Sequence, residues 1–523
     1  MEQQMTIPDT RAAILDTLIA RLRGPAGTGE ALRAISEGCE AARAAGIGTD
    51  SAAMARLDAA TADLDPVLRE SALASVSGDL RRYLRILDML DNVLDLAPLD
   101  GINQIYWSMQ RQLFLMRMDP ASVPDFVTDR LFPFYERFLT EISRRLGLAP
   151  AARPAGMPAT GRVVVVTNQF LSDQHQPSRD LLTQLVRLQH DLGRTVLTLN
   201  TNMMPDRYHS PFIPPFAAAV EERLSGEQTI RYGDETLDFL SSTAPGLTAD
   251  KLGGFLSAVE DFDPDLVIAF GGSVILADLL ASARPLLCMP TTSGQTVSLA
   301  DIVLDFGGRT EPPGDGRLAR SWRPFRLGLS LRAEDGGTAG RSDFGAAEDA
   351  FLCVVVGNRL DAEVDAAFVA LLERLLDAVP RGEILFAGPV EALPARVAAS
   401  RHAARLRCLG HVGRIGALLP LCDLFLNPHR TGGGAGAAQA LAAGLPILSF
   451  AGGDVASVAG PGFLVADGDA FIERALALSS DPALLSRSRE EARGRFAALE
   501  QEDSPGRLEG YMDEAIDLHR RRS

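Results

Sequence analysis

The feature that most constrains the fold is a change of apolar pattern near residue 162. From RVVVVTNQ (162–169) onward, short β-branched runs alternate with segments of helical periodicity. Runs that are apolar without interruption are typical of parallel strands, because helices cover both faces of such a sheet. A stretch dense in Gly, Pro and charge spans 307–345, and the alternation then restarts with AFLCVVVGN. The pattern predicts two tandem doubly wound, Rossmann-like α/β domains, at 161–335 and 345–503.

The residues before this change have a different pattern. Residues 1–148 show helical periodicity, as in DLRRYLRILDMLDNVLDL (79–96), and few strand-like runs. The following APAARPAGMPATG (149–161) breaks every periodicity and is typical of a linker. We therefore expect an all-helical N-terminal domain at 1–148. A last helix is expected at 504–523, where it can cross back over the preceding domains.

Composition limits the classes of partner. The net charge is −17 and the isoelectric point is about 5.0, which argues against a nucleic-acid or anionic membrane surface. Five scattered cysteines have neither zinc-site nor disulfide spacing, which is typical of a reduced, cytosolic protein. The N-terminus lacks a signal-peptide pattern, and no apolar run approaches the roughly 18 residues of a membrane span. A soluble cytoplasmic protein that binds a small ligand or another protein is expected.

Ligands of doubly wound sheets bind beyond the carboxyl ends of the strands, so the loops that follow strands are the candidate sites. In the second α/β domain, VVVGNRL ends a strand with Asn358 and Arg359, just before a helix predicted over 361–378. The guanidinium of Arg359 can bind a phosphate through two parallel N–H groups. This loop is therefore a candidate phosphate site.

A second loop, NPHRTGGGAGAAQALAAGLP (427–446), places Gly432, Gly433 and Gly434 between a strand and a helix. Free N–H groups and the helix dipole favour an anion there, and glycine lets the anion approach the backbone. A diphosphate is the predicted occupant, although turn geometry alone explains many such glycines.

The first α/β domain has its own polar loop after RVVVVTNQ. It carries Asn168, Gln169, His175 and Ser178. The ring of His175 can act as a general base or as a hydrogen-bond donor to a phosphate oxygen, but a solvated loop histidine is also common. The Gly271–Gly272 pair after the strand that begins at Leu266 can admit substrate or simply form a tight turn.

Other motifs have simpler explanations. DFDPD (261–265) is acidic, but it precedes a strand, so turn chemistry accounts for it and no metal site is predicted. Asp454 in GGDVAS can cap the next helix or contact a donor sugar.

The segment LLPLCDLFLNPHRTGGGAGAAQALAAGLPILSFAGGDVASVAGPGFLV (418–465) resembles the donor-binding half of GT-B glycosyltransferases. AAGLPILSF matches the small-x-G-x-P entry to the next strand of that family. The resemblance implies a nucleoside-diphosphate sugar, such as a UDP-sugar, as co-substrate, with no metal or other cofactor. Two glutamates bracket the glycine turn in retaining members, and Thr431 and Gln439 stand there in this chain, which leaves the stereochemical outcome open.

The resemblance also implies roles for individual residues. GHV resembles the loop that lines the nucleobase, and VGNRL the loop whose arginine meets the diphosphate, although the lysine often found a few residues later is missing. The expected donor-binding residues are Asn358, Arg359, His411, Val412, Asn427, Arg430, Thr431, Gly432, Gly433, Gly434 and Gln439. The expected acceptor-side residues are Asn168, Gln169, His175, Ser178, Gly271 and Gly272. Catalysis is assigned to His175, Arg359 and Arg430.

The sequence thus predicts a cytoplasmic, metal-independent glycosyltransferase of the hexosyltransferase type. Because cytoplasmic protein glycosyltransferases pair a helical domain with this fold, a protein acceptor is one expectation, and a homo-oligomer through the helical domain is another. A nucleotide-sugar epimerase of the same fold and a non-catalytic nucleotide-sugar-binding or scaffold protein are the alternatives.

Overall fold

The computed structural model describes residues 10–115, 126–154, 156–172, 175–292, 296–305, 312, 316–325, 339–413, 415–501 and 505–522. Its helices are α1 Thr10–Arg23, α2 Gly29–Ala44, α3 Ser51–Ala60, α4 Pro66–Ser77, α5 Arg81–Val93, α6 Leu99–Phe114, α7 Phe132–Leu146, α8 Gln176–Val186, α9 Ala249–Phe262, α10 Ile275–Leu280, α11 Gly316–Ser321, α12 Leu360–Glu363, α13 Ala366–Ala378, α14 Leu393–Ala398, α15 Ile415–Leu418, α16 Gly434–Ala442, α17 Gly453–Ala459, α18 Gly468–Ser480, α19 Pro482–Gln501 and α20 Pro505–Arg522. Its strands are β1 Arg162–Thr167, β2 Thr195–Asn200, β3 Gly226–Tyr232, β4 Glu235–Ser241, β5 Leu266–Phe270, β6 Leu286–Met289, β7 Ile302–Leu304, β8 Trp322–Arg323, β9 Phe351–Val356, β10 Gly382–Ala387, β11 Leu406–Gly410, β12 Leu424–Leu426, β13 Ile447–Phe450 and β14 Leu464–Val465.

The N-terminal helical region, α1 to α7, follows directly from its sequence. Helix α5 buries Tyr83, Ile86, Leu87 and Leu90, which recur at the spacing that places them on one face of a helix. Asp50 and Asp65 cap α3 and α4 by accepting backbone N–H groups at 2.9–3.1 Å. The left-handed glycines Gly78 and Gly147 end α4 and α7.

The first sheet has the strand order β3-β4-β2-β1-β5-β6-β7-β8 among the described residues. All neighbouring strands run parallel except β3, which forms an antiparallel hairpin with β4. The hairpin lies at the sheet edge, and its strand β3 is largely exposed. Because β3 contains few apolar residues, the search for continuous apolar runs in the sequence did not predict this strand.

The two faces of the first sheet have different coverings. Val164 and Val166 of β1 pack in one apolar core with helices of the N-terminal region. Val163 and Val165 face the opposite side, where α8 and residues of α20 cover them. The helical region therefore shares its main core with the first α/β domain.

Helix α20 returns to the first α/β domain after the second one. Leu508, Met512 and Ala515 are buried against the first sheet. Glu509 and Glu514 form ion pairs with Arg194 (2.8 Å) and Arg323 (2.5 Å) of that domain. The last helix therefore ties the C-terminal end of the chain to the first domain.

The second sheet has the order β11-β10-β9-β12-β13-β14, with every pair parallel among the described strands. One face packs on α13 and α18, and the other on α16, α17 and α19. The helix predicted over 361–378 is divided into α12 and α13, because Asp365 caps the second piece by accepting the N–H of Phe368 at 2.8 Å.

The predicted fold class, two Rossmann-like domains after a helical region, is confirmed. Within the described ranges, no helix is long and apolar enough to cross a membrane.

A buried hydrogen bond joins the helical region to the first α/β domain, and its loss is expected to destabilise both. The hydroxyl of Tyr135 on α7 donates to the carboxylate of Asp278 on α10 at 2.8 Å. We predict that Tyr135→Phe lowers the free energy of unfolding by about 1.5–3 kcal/mol, because a buried carboxylate loses a donor. Urea unfolding followed by the fluorescence of Trp107 and Trp322 measures the change. Tyr208→Phe, at a ring that is 39% exposed, is the control; equal losses in both variants would contradict the prediction.

Candidate functional site

The candidate site lies at the carboxyl edge of the second sheet, where the loops after β9 and β12 meet. These strands are neighbours, so the loop of Gly357, Asn358 and Arg359 lies beside the loop of Arg430 to Gly433. Helix α16 follows this second loop with Gly433 as its N-cap residue, in a left-handed conformation at φ +100°. The first N–H groups of a helix have no acceptor within the helix, so this turn can bind an anion.

Arg430 lies beneath the glycine turn, not in front of it. Its side chain is only 2% exposed. Its Nε donates to Asn427 Oδ1 at 2.7 Å, and its Nη1 donates to the carbonyl of Val356 at 2.8 Å and to Glu363 at 2.9 Å. The remaining Nη2 is buried without a hydrogen-bond partner among the described residues. Arg430 therefore links β9, α12 and β12 and keeps one unused donor.

Glu363 at the end of α12 joins the two arginines of the site. One carboxylate oxygen accepts from Arg430 at 2.9 Å, and the other accepts from Nη2 of Arg359 at 3.0 Å and from its Nε at 3.1 Å. The Glu363 side chain is 7% exposed. The sequence analysis missed this residue, although its spacing of four residues after Arg359 on a helix is a recognisable ion-pair signal.

Arg359 is the more accessible of the two arginines. Its side chain is 31% exposed. One edge of the guanidinium binds Glu363, and its Cζ lies 4.8 Å from the ring centroid of Phe114 at the end of α6. Phe114 was also missed by the sequence analysis, because an apolar residue at a helix end carries no signal for a contact this distant in the chain.

The glycines of both loops lie against these guanidinium groups. A Cβ added at Gly433 would lie 2.7 Å from Cζ of Arg430, and one at Gly432 would lie 2.5 Å from Nη2 of Arg359. At Gly357 it would lie 2.6 Å from Nη1 of Arg430. Real Cβ atoms do not approach so closely, so a side chain at any of these positions would displace a guanidinium group. The displacement is costly for Arg430, which is 2% exposed, and easier for Arg359, which is 31% exposed. An anion at the turn would add to this cost.

The remaining predicted donor-side residues fall into two groups. The side chain of Asn427 is buried, and both ends of its amide are hydrogen-bonded, since the nitrogen donates to Ser449 at 2.9 Å while the oxygen accepts from Arg430. Thr431 is also buried, and its Oγ1 has no partner among the described residues. The exposed or half-buried group comprises Asn358, His411, Val412 and Gln439. Gly434 begins α16, and a Cβ added there would lie 3.1 Å from Cβ of Asp454.

His175 precedes α8 on the first α/β domain. Its Nδ1 lies 2.9 Å from Oγ of Ser178, and that oxygen also accepts the N–H of Leu171 at 3.1 Å. Burial lowers the pKa of His175. We infer that the Ser178 hydroxyl donates to Nδ1, which leaves the hydrogen of the neutral ring on Nε2. This arrangement favours a donor role for His175 over that of a general base.

The other predicted acceptor-side residues form hydrogen bonds within the first domain. The amide of Asn168 donates to the carbonyls of Gly272 (3.3 Å) and Ser273 (3.2 Å), which closes the turn after β5. Gln169 donates to the carbonyl of Ala219 at 2.6 Å. Gly271 has φ +115°, so the turn itself requires glycine there. The structure thus groups the predicted residues into a donor-side cluster and an acceptor-side cluster, each at the carboxyl edge of its own sheet.

The described residues contain no group of three or more His, Cys, Asp or Glu side chains arranged for a metal ion. In DFDPD, Asp265 accepts the N–H groups of Thr160 (2.8 Å) and Gly161 (2.7 Å) and pairs with Arg153. This carboxylate therefore organises the entry to β1.

Comparison with known proteins places this geometry in context. Residues 351–481 match the family model of glycosyl transferases group 1. No curated protein matches the chain in sequence. Among solved structures, a mutant O-GlcNAc transferase of Thermobaculum terrenum is 18% identical with a TM-score of 0.56, over 99% of this chain and 100% of that one. HepE of Anabaena, solved with UDP, is 14% identical with a TM-score of 0.46, over 68% of this chain and 99% of that one.

The family match and the first structural likeness confirm the predicted resemblance. The first structural likeness shows a shared fold, so the chain has the GT-B architecture. The family match covers Arg359, Glu363, Arg430 and the glycine turn. It supports glycosyl transfer as the class of reaction.

Gly433 provides a test of the turn. We predict that Gly433→Ala lowers the free energy of unfolding by about 2–5 kcal/mol, because the new methyl group meets Arg430 and the backbone has φ +100°. Gly436→Ala in the same helix is the control, since its nearest neighbour would be 3.7 Å away. Differential scanning calorimetry compares the two variants with the wild type; similar unfolding midpoints for both alanines would refute the prediction.

Half-buried His175 gives a prediction for how the stability of the fold depends on pH. Because the pKa of His175 is lowered in the fold, the unfolded state takes up its proton first as the pH falls below 6.5. The stability that neutral His175 contributes above pH 6.5 is therefore lost as the pH falls towards its folded pKa. We expect His175→Gln to lose less stability than the wild type between pH 7.5 and 5.5 in thermal unfolding.

The control for this experiment is His190→Gln. A hydrogen bond to Asp191 raises the pKa of His190, so its contribution is present below pH 6.5 and is lost as the pH rises through the folded pKa. We therefore expect His190→Gln to lose more stability than the wild type between pH 7.5 and 5.5, the opposite of the result for His175→Gln. If the stability of the wild type and of His175→Gln fell in parallel between pH 7.5 and 5.5, burial of His175 would not be the cause of the loss of stability at low pH.

Proposed function

We propose that this protein is a glycosyltransferase that moves a sugar from a nucleoside-diphosphate sugar to an acceptor, without a metal ion. The observation that carries the proposal is the position of Arg359 directly beside the glycine turn at the start of α16. A Cβ on Gly432 would lie 2.5 Å from the Arg359 guanidinium, so a diphosphate at the turn would meet both this cation and the first N–H groups of the helix.

This arrangement suits the charge that develops during glycosyl transfer. As the bond between the sugar and the diphosphate breaks, its electron pair stays on the phosphate oxygen. Arg359 and the N–H groups of α16 stabilise that negative charge, and Glu363 keeps the guanidinium in place before the substrate arrives. Arg430 supports the same turn from below. A metal ion is not needed for this neutralisation, and unchanged turnover in EDTA would support that part of the proposal.

The acceptor is proposed to bind against the loops of the first α/β domain. His175, with its Nε2–H, is available to donate a hydrogen bond to a phosphate or acceptor oxygen. We extend the proposal to a protein acceptor, because α6 of the helical region lies against the turn after β5, where Tyr106 and Ser273 share a hydrogen bond of 2.6 Å. A cytoplasmic location is part of the same proposal. A homo-oligomer through the helical region stays a prediction, which light scattering tests.

Two other functions use the same fold. An epimerase needs carboxylates that are free to move protons, but Glu363 beside the turn is paired with both arginines. A non-catalytic nucleotide-sugar-binding protein would need only the glycine turn to bind its ligand. Incubation with labelled UDP-, GDP- and ADP-sugars distinguishes the three: release of free sugar or transfer supports the transferase, interconversion of the bound sugar supports the epimerase, and binding without turnover supports the binder.

Arg359 provides the direct test of the transferase. We predict that Arg359→Ala lowers kcat/KM for the active donor about 10²- to 10³-fold, because one preorganised cation is lost from the leaving group. Arg359→Lys should retain part of the activity, since it keeps the charge without the planar donor pair. Arg381→Ala, at a 72% exposed arginine of the same domain, is the control. Unchanged kcat/KM in Arg359→Ala would remove the basis of the proposal.

A further inference from the structure

Phe114, the last residue of α6, brings the helical region into contact with the glycine turn. The centroid of its ring lies 4.8 Å from Cζ of Arg359, within the range of a cation–π interaction. The same ring borders the turn, because a Cβ on Gly432 would lie 3.7 Å from its Cζ. A residue of the N-terminal region therefore forms part of the wall of the site in the second α/β domain.

Phe114 and Glu363 restrain Arg359 in different ways. Glu363 binds one edge of the planar guanidinium through two N–H groups, at 3.0 and 3.1 Å. The aromatic ring stacks near the guanidinium and shields it from water, which strengthens the attraction of this cation to an anion. Ordering a long arginine side chain costs rotamer entropy, so a guanidinium that is already held binds a phosphate more tightly.

Phe114 also lies beside a second arginine. Cζ of Arg111, one turn earlier on α6, lies 5.8 Å from the Phe114 centroid and 5.7 Å from the centroid of Phe216. Phe216 belongs to the connection between β2 and β3 of the first α/β domain. Phe216, Arg111, Phe114 and Arg359 thus form an alternating ladder of rings and cations. The ladder runs from the first α/β domain through the helical region to the second α/β domain.

We propose that Phe114 is a positioning residue that holds Arg359 at the glycine turn for a diphosphate, so that the helical region takes part in donor binding. The inference rests on the proposed function, because it assigns Phe114 to the same site. It also gives the helical region a direct role in the affinity for the phosphate groups, separate from any role in acceptor binding.

Isothermal titration calorimetry of the full chain with UDP, GDP and ADP, and with uridine, guanosine and adenosine, tests the inference. For the diphosphate that binds the wild type, we expect Phe114→Leu to weaken binding about three- to thirty-fold, the range of one cation–π contact. Binding of the matching nucleoside should change less than twofold. Phe114→Tyr, which keeps the ring, should restore the affinity for the diphosphate.

A double-mutant cycle separates positioning from general damage. If Phe114 acts through Arg359, Phe114→Leu should have no further effect on diphosphate affinity in an Arg359→Ala background, whereas independent effects would add. Phe262→Leu is the matched control, because it removes a partly buried ring 5.6 Å from Cζ of Arg162, outside the ladder that leads to Arg359. Should Phe114→Leu unfold, Phe114→Met is measured in its place.

The outcomes are distinguishable. Equal affinities for the diphosphate in wild type and Phe114→Leu, or additive losses in the cycle, would overturn the role of Phe114 and leave the proposed function standing. A wild-type chain that binds none of the three diphosphates would overturn both. A selective, non-additive loss that the tyrosine variant reverses would support the inference.

Discussion

The second α/β domain depends on one carboxylate that lies between two guanidinium groups. Glu363 and Arg430 are 7% and 2% exposed, so both charges are largely removed from water. Such burial is tolerated only when the charges are paired and their remaining groups are hydrogen-bonded. Arg430 meets this condition at Nε and Nη1, through Asn427 and the carbonyl of Val356, which fixes the relative positions of β9, α12 and β12. Only its Nη2 has no hydrogen-bond partner among the described residues. The glycine turn is built on this network.

The network changes the meaning of the glycine triplet. A helix start that receives a phosphate needs glycine because the ligand approaches the backbone, but here the guanidinium groups of Arg359 and Arg430 already occupy the space of the missing side chains. Gly432 and Gly433 thus have a structural role beside Arg359 and Arg430, in addition to the binding role that we propose for the turn. Two cations and one anion leave a net charge of about +1 beside the turn, so a diphosphate there would depend strongly on the N–H groups and dipole of α16.

The parts of the fold that were predicted from sequence depend on local patterns. Continuous apolar runs predicted β1, β5, β9 and their neighbours, since buried parallel strands must be apolar on both faces. The β3–β4 hairpin was missed because an exposed edge strand needs few apolar residues. The core shared by the helical region and the first sheet could not be predicted from the sequence either. An amphipathic helix shows which face is buried, but not which element packs against that face.

The site follows the same division. Arg359 and the glycines could be found because they follow strands, and the position of a loop after a strand is a local property. Glu363 was missed because it lies on the helix after the loop and not in the loop itself, although its ion pair holds Arg359 in place. Phe114 lies more than two hundred residues before Arg359, and only the folded chain brings them together. Because α6 is hydrogen-bonded through Asn103 and Tyr106 to loops of the first α/β domain and contacts Arg359 at its end, a shift of this helix against that domain would also move the wall of the glycine turn. The helical region therefore forms part of the wall of the candidate site in addition to packing on the first α/β domain.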